Sequence, residues 1–401
     1  MPLKNSSPNI RKSSALKFVI LFGIISLFAD MTYEGARSIT GPYLAFLGAN
    51  ALTVGFVAGF GELLGYGLRL ISGYLADRTG KYWAITIIGY VFNLLAVPLL
   101  AFTGHWWTAS TLIIIERMGK AIRTPPRDAM LAHAGQQLGM GRGFGLHEAL
   151  DQTGALLGPL IIAAMLYYQG SYRESFAILL IPAIIALTLL GIARHLYSKP
   201  QDLETEKNNL EISKVQGRAF WFYLAGASLI AAGFADFPLI AFHFARLNIL
   251  PKTWIPIAYA IAMGVDGFAA LIFGHLYDRK GFVILIIITI FSSFFAPLVF
   301  LGNFSFALAG VILWSIGVGA HETLMRAIVA KMIVKNKRAS AYGIFNMSYG
   351  ISWFLGSVIM GALYDYSIIS LVIFSMAIQL TSVPVLLFVL TIQRIPQAQS
   401  N

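Results

Sequence analysis

The chain has 401 residues, 57% of them hydrophobic and only 12% charged. An ordinary soluble chain carries about 25% charged residues. A water-soluble core cannot hide this much apolar surface, so a soluble globular fold is excluded and most of the chain must face lipid or other buried helices. The formal net charge of +11 raises nucleic acid as a partner, which the placement of the charges must decide, and the absence of cysteine excludes disulfides, thiolate metal sites and cysteine nucleophiles.

About 20 apolar residues span a bilayer. The apolar runs predict twelve spans, near 16–47, 51–76, 82–103, 107–126, 143–168, 174–194, 219–247, 253–277, 281–301, 304–332, 339–364 and 367–392. The first run is too long for a signal-peptide core and no small-residue cleavage site follows it, so it reads as a retained helix. It carries Asp30, Glu34 and Arg37 on one helix face. In the second span Glu62 and Arg69 share a face. That span runs into Gly73-Tyr-Leu-Ala-Asp77-Arg78-Thr-Gly80-Lys81, where Gly73 permits close packing and Gly80 a tight turn.

The fourth span ends on Glu116-Arg117-Met-Gly-Lys120-Ala-Ile-Arg123-Thr-Pro-Pro-Arg127-Asp128. The fifth contains Gly145-Leu-His147-Glu148-Ala-Leu-Asp151 and then Gly154-Ala-Leu-Leu-Gly158-Pro159. Small residues at this spacing let a neighbouring helix approach, and Pro159 frees a backbone carbonyl. After the sixth span comes the longest polar stretch, Arg194 to Arg218, which reads as a linker. The seventh span repeats Phe28-Ala29-Asp30 as Phe234-Ala235-Asp236 and adds His243 and Arg246. The eighth carries Asp266 and ends on a second Asp-Arg turn, Gly274-His-Leu-Tyr-Asp278-Arg279-Lys280-Gly281. Arg326 in the tenth lines up with Arg127, and Gly343 and Gly356 in the eleventh have the spacing of Gly145 and Gly158. These matches, in one order, predict two repeated halves: an N-terminal six-helix bundle over 1-194, a linker over 195-218 and a C-terminal six-helix bundle over 219-401.

The basic residues outside the spans gather on one side. Lys4, Arg11, Arg78, Lys81, Arg142, Lys199, Arg218, Arg279, Lys337 and Arg394 are among them, against Arg173 and Lys252 on the other. This positive-inside bias places both termini in the cytoplasm and turns the net charge into a topology signal, not a nucleic-acid footprint.

A Gly-x-x-x-Asp-Arg-x-Gly-Lys turn, repeated in each half, resembles the signature loop of the major facilitator superfamily of transporters. The run from Arg117 to Pro159 is similar to that of a bacterial multidrug-like subgroup of these permeases. The resemblance implies an all-α membrane protein of twelve transmembrane helices in two six-helix bundles related by an axis along the membrane normal. It implies gating by Gly73, Asp77, Arg78, Gly80 and Lys81, with Gly274, Asp278 and Arg279 as the second copy, which has Arg279-Lys280-Gly281 in place of Arg-x-Gly-Lys. It makes Gly154, Gly158 and Pro159 the fifth-span packing motif associated with antiporters. It assigns Arg117 to proton coupling, although Ala121 stands where the family has Gly.

Ionisable residues at membrane depth cost about 2.5–3.5 kcal/mol each on insertion scales, so each is a functional hypothesis. Pairing is the plainer reading for part of the set, since Arg37 can neutralise Glu34, and Glu322 can pair with Arg326. It explains least for Asp30 and for Glu148 with Asp151. Burial disfavours the ionised form of a carboxylate, which gives proton coupling a physical basis at Asp30, Glu34, Glu148 and Asp151. Tyr33, Arg37, Glu62, Asp236, His243, Glu322, Arg326 and Tyr349 are candidates for a substrate cavity, although packing is the plainer role for each aromatic.

No phosphate-binding loop, His-Glu-x-x-His site or Gly-x-Ser-x-Gly turn occurs, so no enzyme, cofactor or metal is expected. The expected protein is a monomer in the inner (cytoplasmic) membrane, with lipid, protons and a small-molecule substrate as its partners. It moves an organic solute by alternating access, as a proton-coupled exporter or, alternatively, as a proton-coupled importer of a sugar, organic acid, amino acid or siderophore.

Overall fold

The computed structural model describes residues 8–138, 140–198, 217–332 and 338–394. Among them there are fifteen α-helices and no strand. In order they are α1 (Pro8–Phe46), α2 (Ala51–Thr79), α3 (Tyr82–Leu99), α4 (Trp106–Leu138), α5 (Met140–Tyr167), α6 (Tyr172–Ile178), α7 (Leu180–Leu196), α8 (Arg218–Gly233), α9 (Phe237–Arg246), α10 (Trp254–Lys280), α11 (Val283–Ser292), α12 (Phe295–Leu301), α13 (Phe304–Met332), α14 (Arg338–Tyr366) and α15 (Ile368–Arg394). The sixth, seventh and ninth spans are each built from two consecutive helices, which gives the twelve spans expected. Eleven qualify on length and apolarity alone. The exception is α4, whose middle carries Glu116, Arg117, Lys120, Arg123, Arg127 and Asp128.

Two local outcomes differ from expectation. The fourth span does not end at Pro125-Pro126, because α4 continues through both prolines. Pro125 has no N–H for the Ala121 carbonyl, and Ser72 Oγ of α2 donates to that carbonyl at 3.3 Å instead. The seventh span is not one helix. It stops at Gly233 and restarts at Phe237, with Asp236 at the N-cap and Pro238 in the first turn. Proline suits a helix start, where its missing N–H has no partner to lose.

The chain packs as two compact units, Met1–Ile39 with Leu64–Asn209, and Thr40–Leu63 with Leu210–Asn401. In the first, Phe18, Phe22, Trp83, Tyr90, Leu94, Met130 and Leu190 form a buried core. Glycines bring its helices to backbone contact: a Cβ at Gly154 would meet the Leu27 carbonyl, and one at Gly158 the Met31 carbonyl. In the second unit a Cβ at Gly356 would meet the Ala232 carbonyl. Each fifth helix of a half thus lies on the first helix of that half through the glycines the motif contains.

The two Asp-Arg turns are also alike. Gly80 and Gly281 both have φ +67°, and each N–H closes the preceding helix at 2.8 Å, on Ala76 and Tyr277 respectively. That left-handed conformation favours glycine.

Candidate functional site

The first unit holds a buried ladder of charge. On α4, Arg117, Lys120, Arg123 and Arg127 recur at three- and four-residue steps, which puts them on one face. They meet the acidic face of α1 in antiparallel register. Lys120 Nζ lies 3.6 Å from Glu34, Arg123 Nη2 lies 3.6 Å from Asp30, and Arg127 Nη1 donates to Ser26 Oγ at 3.4 Å. Ser26 Oγ also pairs with His147 Nε2 of α5 at 2.9 Å.

Arg123 is 1% exposed and Asp30 3%. Close approach of α3 to α4 creates the space for the arginine: a Cβ at Gly89 would lie 2.5 Å from the Arg123 amide nitrogen. The guanidinium then rests on the Tyr90 ring at 4.4 Å and beside Tyr33 at 5.6 Å. Its Nε and Nη1, Asp30 Oδ1 and Tyr90 Oη have no hydrogen-bond partner among the described residues. Asp151 of α5 stands within Coulombic reach of Asp30, Arg123, Arg127 and His147.

The expected proton-coupling residues therefore separate. Asp30, Glu34 and Asp151 come together. Asp30 has no base within one turn in its own span and gains one, Arg123, from α4. Arg117, to which the resemblance gives the coupling role, has its Nε 3.4 Å from neighbouring Glu116. Asn93 of α3 also holds Glu116, at 2.8 Å. Glu148 lies on an exposed face of α5, while His147 and Asp151 turn inward.

Of the expected cavity residues, Tyr33 is buried with Lys120 over its ring at 4.0 Å. Arg37 lies 3.9 Å from Glu34, so the expected neutralisation is present, and Glu34 serves two cations. Glu62 is half-buried. In the second unit Asp236 accepts from Ser357 Oγ at 2.7 Å, and the Trp314 indole donates to the Ala235 carbonyl at 2.8 Å, inside the break. Tyr349 lies between Phe345 and Trp353, at 5.6 and 5.7 Å. His243 is fully buried beside Phe300 and bonds Tyr364 Oη at 3.0 Å, which makes it a packing residue of an aromatic nest. The side chains of Glu322, Arg326 and Asp278 lie outside the described residues.

Of the expected gating residues, Gly73 faces Pro125, with a Cβ there 3.4 Å from the ring, and Gly274 faces Thr323. Asp77 accepts from Tyr82 Oη at 2.9 Å, and Arg78 donates to Tyr74 Oη at 3.2 Å. Lys81 and Arg279 are exposed. Reading single helices could not find Arg123, because its partner is on another span. The three- and four-residue spacing of the α4 cations was the available signal.

Twelve spans with a buried charge ladder define a polytopic helical transport protein. The chain belongs to the Major Facilitator Superfamily, whose model matches residues 20–357 and 253–400, and it is a transporter and not an enzyme. An uncharacterised protein of Mycobacterium tuberculosis, Rv2265, is 40% identical over 394 residues, 95% of each chain. Multidrug resistance protein MdtH of Proteus mirabilis is 31% identical over 154 residues, 38% of this chain and 35% of that one. The crystal structure of nucleoside transporter NupG superposes with a TM-score of 0.72 at 14% identity, covering 94% of this chain and 99% of that one.

Proposed function

We propose that this transporter exports a small organic solute in exchange for protons, by alternating access of two bundles, 1-194 and 219-401, joined by the linker 195-218. The observation that carries this reading is the Asp30–Arg123 pair, sealed from solvent at mid-span in the first unit with Asp151 in reach. A carboxylate that exchanges a nearby guanidinium for a proton changes the charge of a closed compartment by one unit, which is what coupling requires. Asp30 is the carrier in this scheme, Asp151 its second acceptor, and Arg123 the counter-charge. The Asp77 and Asp278 turns gate the cytoplasmic side, and both termini lie in the cytoplasm.

Export is supported by the partial likeness to a multidrug resistance protein and by the Gly154-Gly158-Pro159 seam on α1. Growth inhibition in an efflux-deficient bacterial host tests the reading, with wild type compared against Asp30→Asn at equal expression. Export predicts resistance to part of a compound panel, lost in the variant. Increased sensitivity in the wild type would instead indicate import. Proteoliposomes that move none of the compounds under an imposed pH gradient would end the proposal.

A further inference from the structure

We infer that His147 relays the transported proton from Asp151 to the cytoplasm, with Ser26 holding the ring ready to receive it. This rests on the proton-exchange reading above and adds to it the way out.

The charge ladder has two tiers. Each of three helices supplies a pair of residues one turn apart: Asp30 and Ser26 on α1, Arg123 and Arg127 on α4, Asp151 and His147 on α5. Asp30 meets Arg123 in the first tier, and Ser26 meets both Arg127 and His147 in the second. Asp151 bridges the tiers, within Coulombic reach of Asp30 in one and of His147 and Arg127 in the other. The second tier is one turn, about 6 Å, nearer the end of the unit where α1 and α5 begin and α4 finishes. That end is cytoplasmic in the reading above, so His147 lies between the carrier and the cytoplasm.

Hydrogen counting fixes the state of the ring. Ser26 Oγ has two hydrogen-bond partners among the described residues, Arg127 Nη1 at 3.4 Å and His147 Nε2 at 2.9 Å. A guanidinium only donates, so the single hydroxyl proton points to Nε2. His147 is therefore neutral, with its own proton on Nδ1 and the Nε2 lone pair free to take another. The ring is 3% exposed, and histidine is the side chain that gains and loses a proton most readily near neutral pH. Asp151 Oδ1 is buried and has no hydrogen-bond partner among the described residues, which leaves it open to hold a proton in transit.

In the relay, the O–H bond of protonated Asp30 breaks as one forms on Asp151. That bond breaks in turn as an N–H bond forms at His147 Nε2, while the Ser26 hydroxyl turns off the ring. The imidazolium then loses a ring proton to water on the cytoplasmic side, and Asp30 is again charged beside Arg123. The charges around the ring suit a passing proton. From α4, Arg127 and Arg123 repel the imidazolium and Asp128 attracts it, Asp151 of α5 attracts it, and α1 adds the Ser26 hydroxyl. Lys120, Arg123 and Arg127 of α4 likewise face Asp151 and favour its handing the proton on.

The test is the transient current that follows a pH step on full-length protein in liposomes adsorbed on an electrode, with the proton as the only probe. It is run with the cytoplasmic face outward and again with it inward. The wild type should give a transient that Asp30→Asn abolishes. With the cytoplasmic face outward, His147→Gln should slow it about a hundredfold, the low end of what a positioned proton-transfer group contributes, and leave the total charge moved unchanged. With that face inward the rate should stay as in the wild type. Glutamine still accepts from Ser26, so a purely structural histidine predicts an unchanged rate in His147→Gln. Ser26→Ala should slow the same transient about fivefold, the equivalent of one neutral hydrogen bond, and it carries the test if His147→Gln does not fold. His105→Gln, in the loop before α4, should change nothing. A transient that depends on Asp30 but not on His147 or Ser26, or one slowed equally in both orientations, overturns the inference alone. No Asp30-dependent transient in the wild type overturns the proton-exchange reading and the relay with it.

Discussion

In the first span Phe28-Ala29-Asp30 lies inside an unbroken helix, whereas in the seventh Phe234-Ala235-Asp236 interrupts one. Asp30 faces a buried guanidinium, while Asp236 sits at a helix start and accepts a hydroxyl from Ser357. The surroundings differ accordingly. Around Asp30 are Arg123, Lys120, Glu34 and Asp151. Next to Asp236 is Phe237, whose ring centroid lies 4.2 Å from that of Tyr259 and 5.8 Å from that of Trp314. Two copies of one motif have thus become a charge-handling centre and an aromatic, hydroxyl-lined break. Repetition of sequence preserved the helix seams and the turns, and left the chemistry of each half free to diverge.

The largest effect that can break this comparison is on the pair itself. Removing one partner of a buried ion pair typically costs about 3–5 kcal/mol, because the other charge stays buried. Arg123→Gln should lower the thermal unfolding temperature by more than any other single change here, and Asp30→Asn added to it should recover most of the loss. Asp236→Asn should cost far less, since an amide oxygen still accepts from Ser357. A double variant no more stable than Arg123→Gln alone would mean that the two residues do not act as a pair. In proteoliposomes the same contrast should appear as loss of pH-gradient-driven transport in Asp30→Asn and its retention in Asp236→Asn.

The seams come next, and there the halves should behave alike. Gly158→Val and Gly356→Val each push a side chain into a facing carbonyl, and overpacking of this kind costs about 1–3 kcal/mol. Similar losses in both, read by thermal unfolding, would sharpen the view that packing was kept while chemistry diverged. A large loss in one and none in the other would contradict it.

How much of this was legible in the chain follows from range. The turns at Gly80 and Gly281 were readable because a tight turn is decided within a few residues. The Gly154-Gly158 seam was readable because small residues at that spacing have one main use in a helix. The pairing of Asp30 with Arg123 was not, since it depends on how α1 and α4 cross. Arg37 beside Glu34 was found and Lys120 on the same carboxylate was missed, for the same reason. The break in the seventh span did leave a local mark in Asp236-Phe-Pro238, a helix-start pattern, overridden by the continuous apolar run around it.

A smaller effect distinguishes the break itself. The Trp314 indole satisfies the Ala235 carbonyl, which the broken helix leaves without an amide partner. The register that sets Arg127 against Arg326 puts Ile115 opposite Trp314, and the unbroken first span has no such carbonyl to serve. Trp314→Phe keeps the ring and removes the donor, so it should cost about 1 kcal/mol, visible as a modest drop in unfolding temperature. No change would show that the carbonyl finds another donor and that the break does not depend on the indole.

The smallest expected effect concerns the ends of the two matching helices. α5 ends on Tyr167, which Tyr168 follows, and the two are 72% and 81% exposed. The corresponding end of α14 carries Asp365, which accepts from the amides of Ala51 and Leu52 at 3.3 and 3.0 Å and lies 3.5 Å from Arg246. Asp365 therefore caps the first turn of α2 from the far end of the chain, where a negative charge also opposes the helix dipole favourably. Gly361 stands one turn before it, and a Cβ there would lie 2.6 Å from the Ala51 carbonyl, so the cap works at a close backbone approach. Losing a carboxylate cap costs roughly 1 kcal/mol. Asp365→Ala should speed hydrogen exchange of the amides of Ala51 and Leu52 about fivefold, the exchange equivalent of about 1 kcal/mol, and leave the amides at the start of α6 unchanged because Ser171 and Glu174 cap that helix locally. Unaltered exchange at Ala51 and Leu52 would show that the amides are satisfied without Asp365, and the two helix ends would then differ in sequence but not in what they hold.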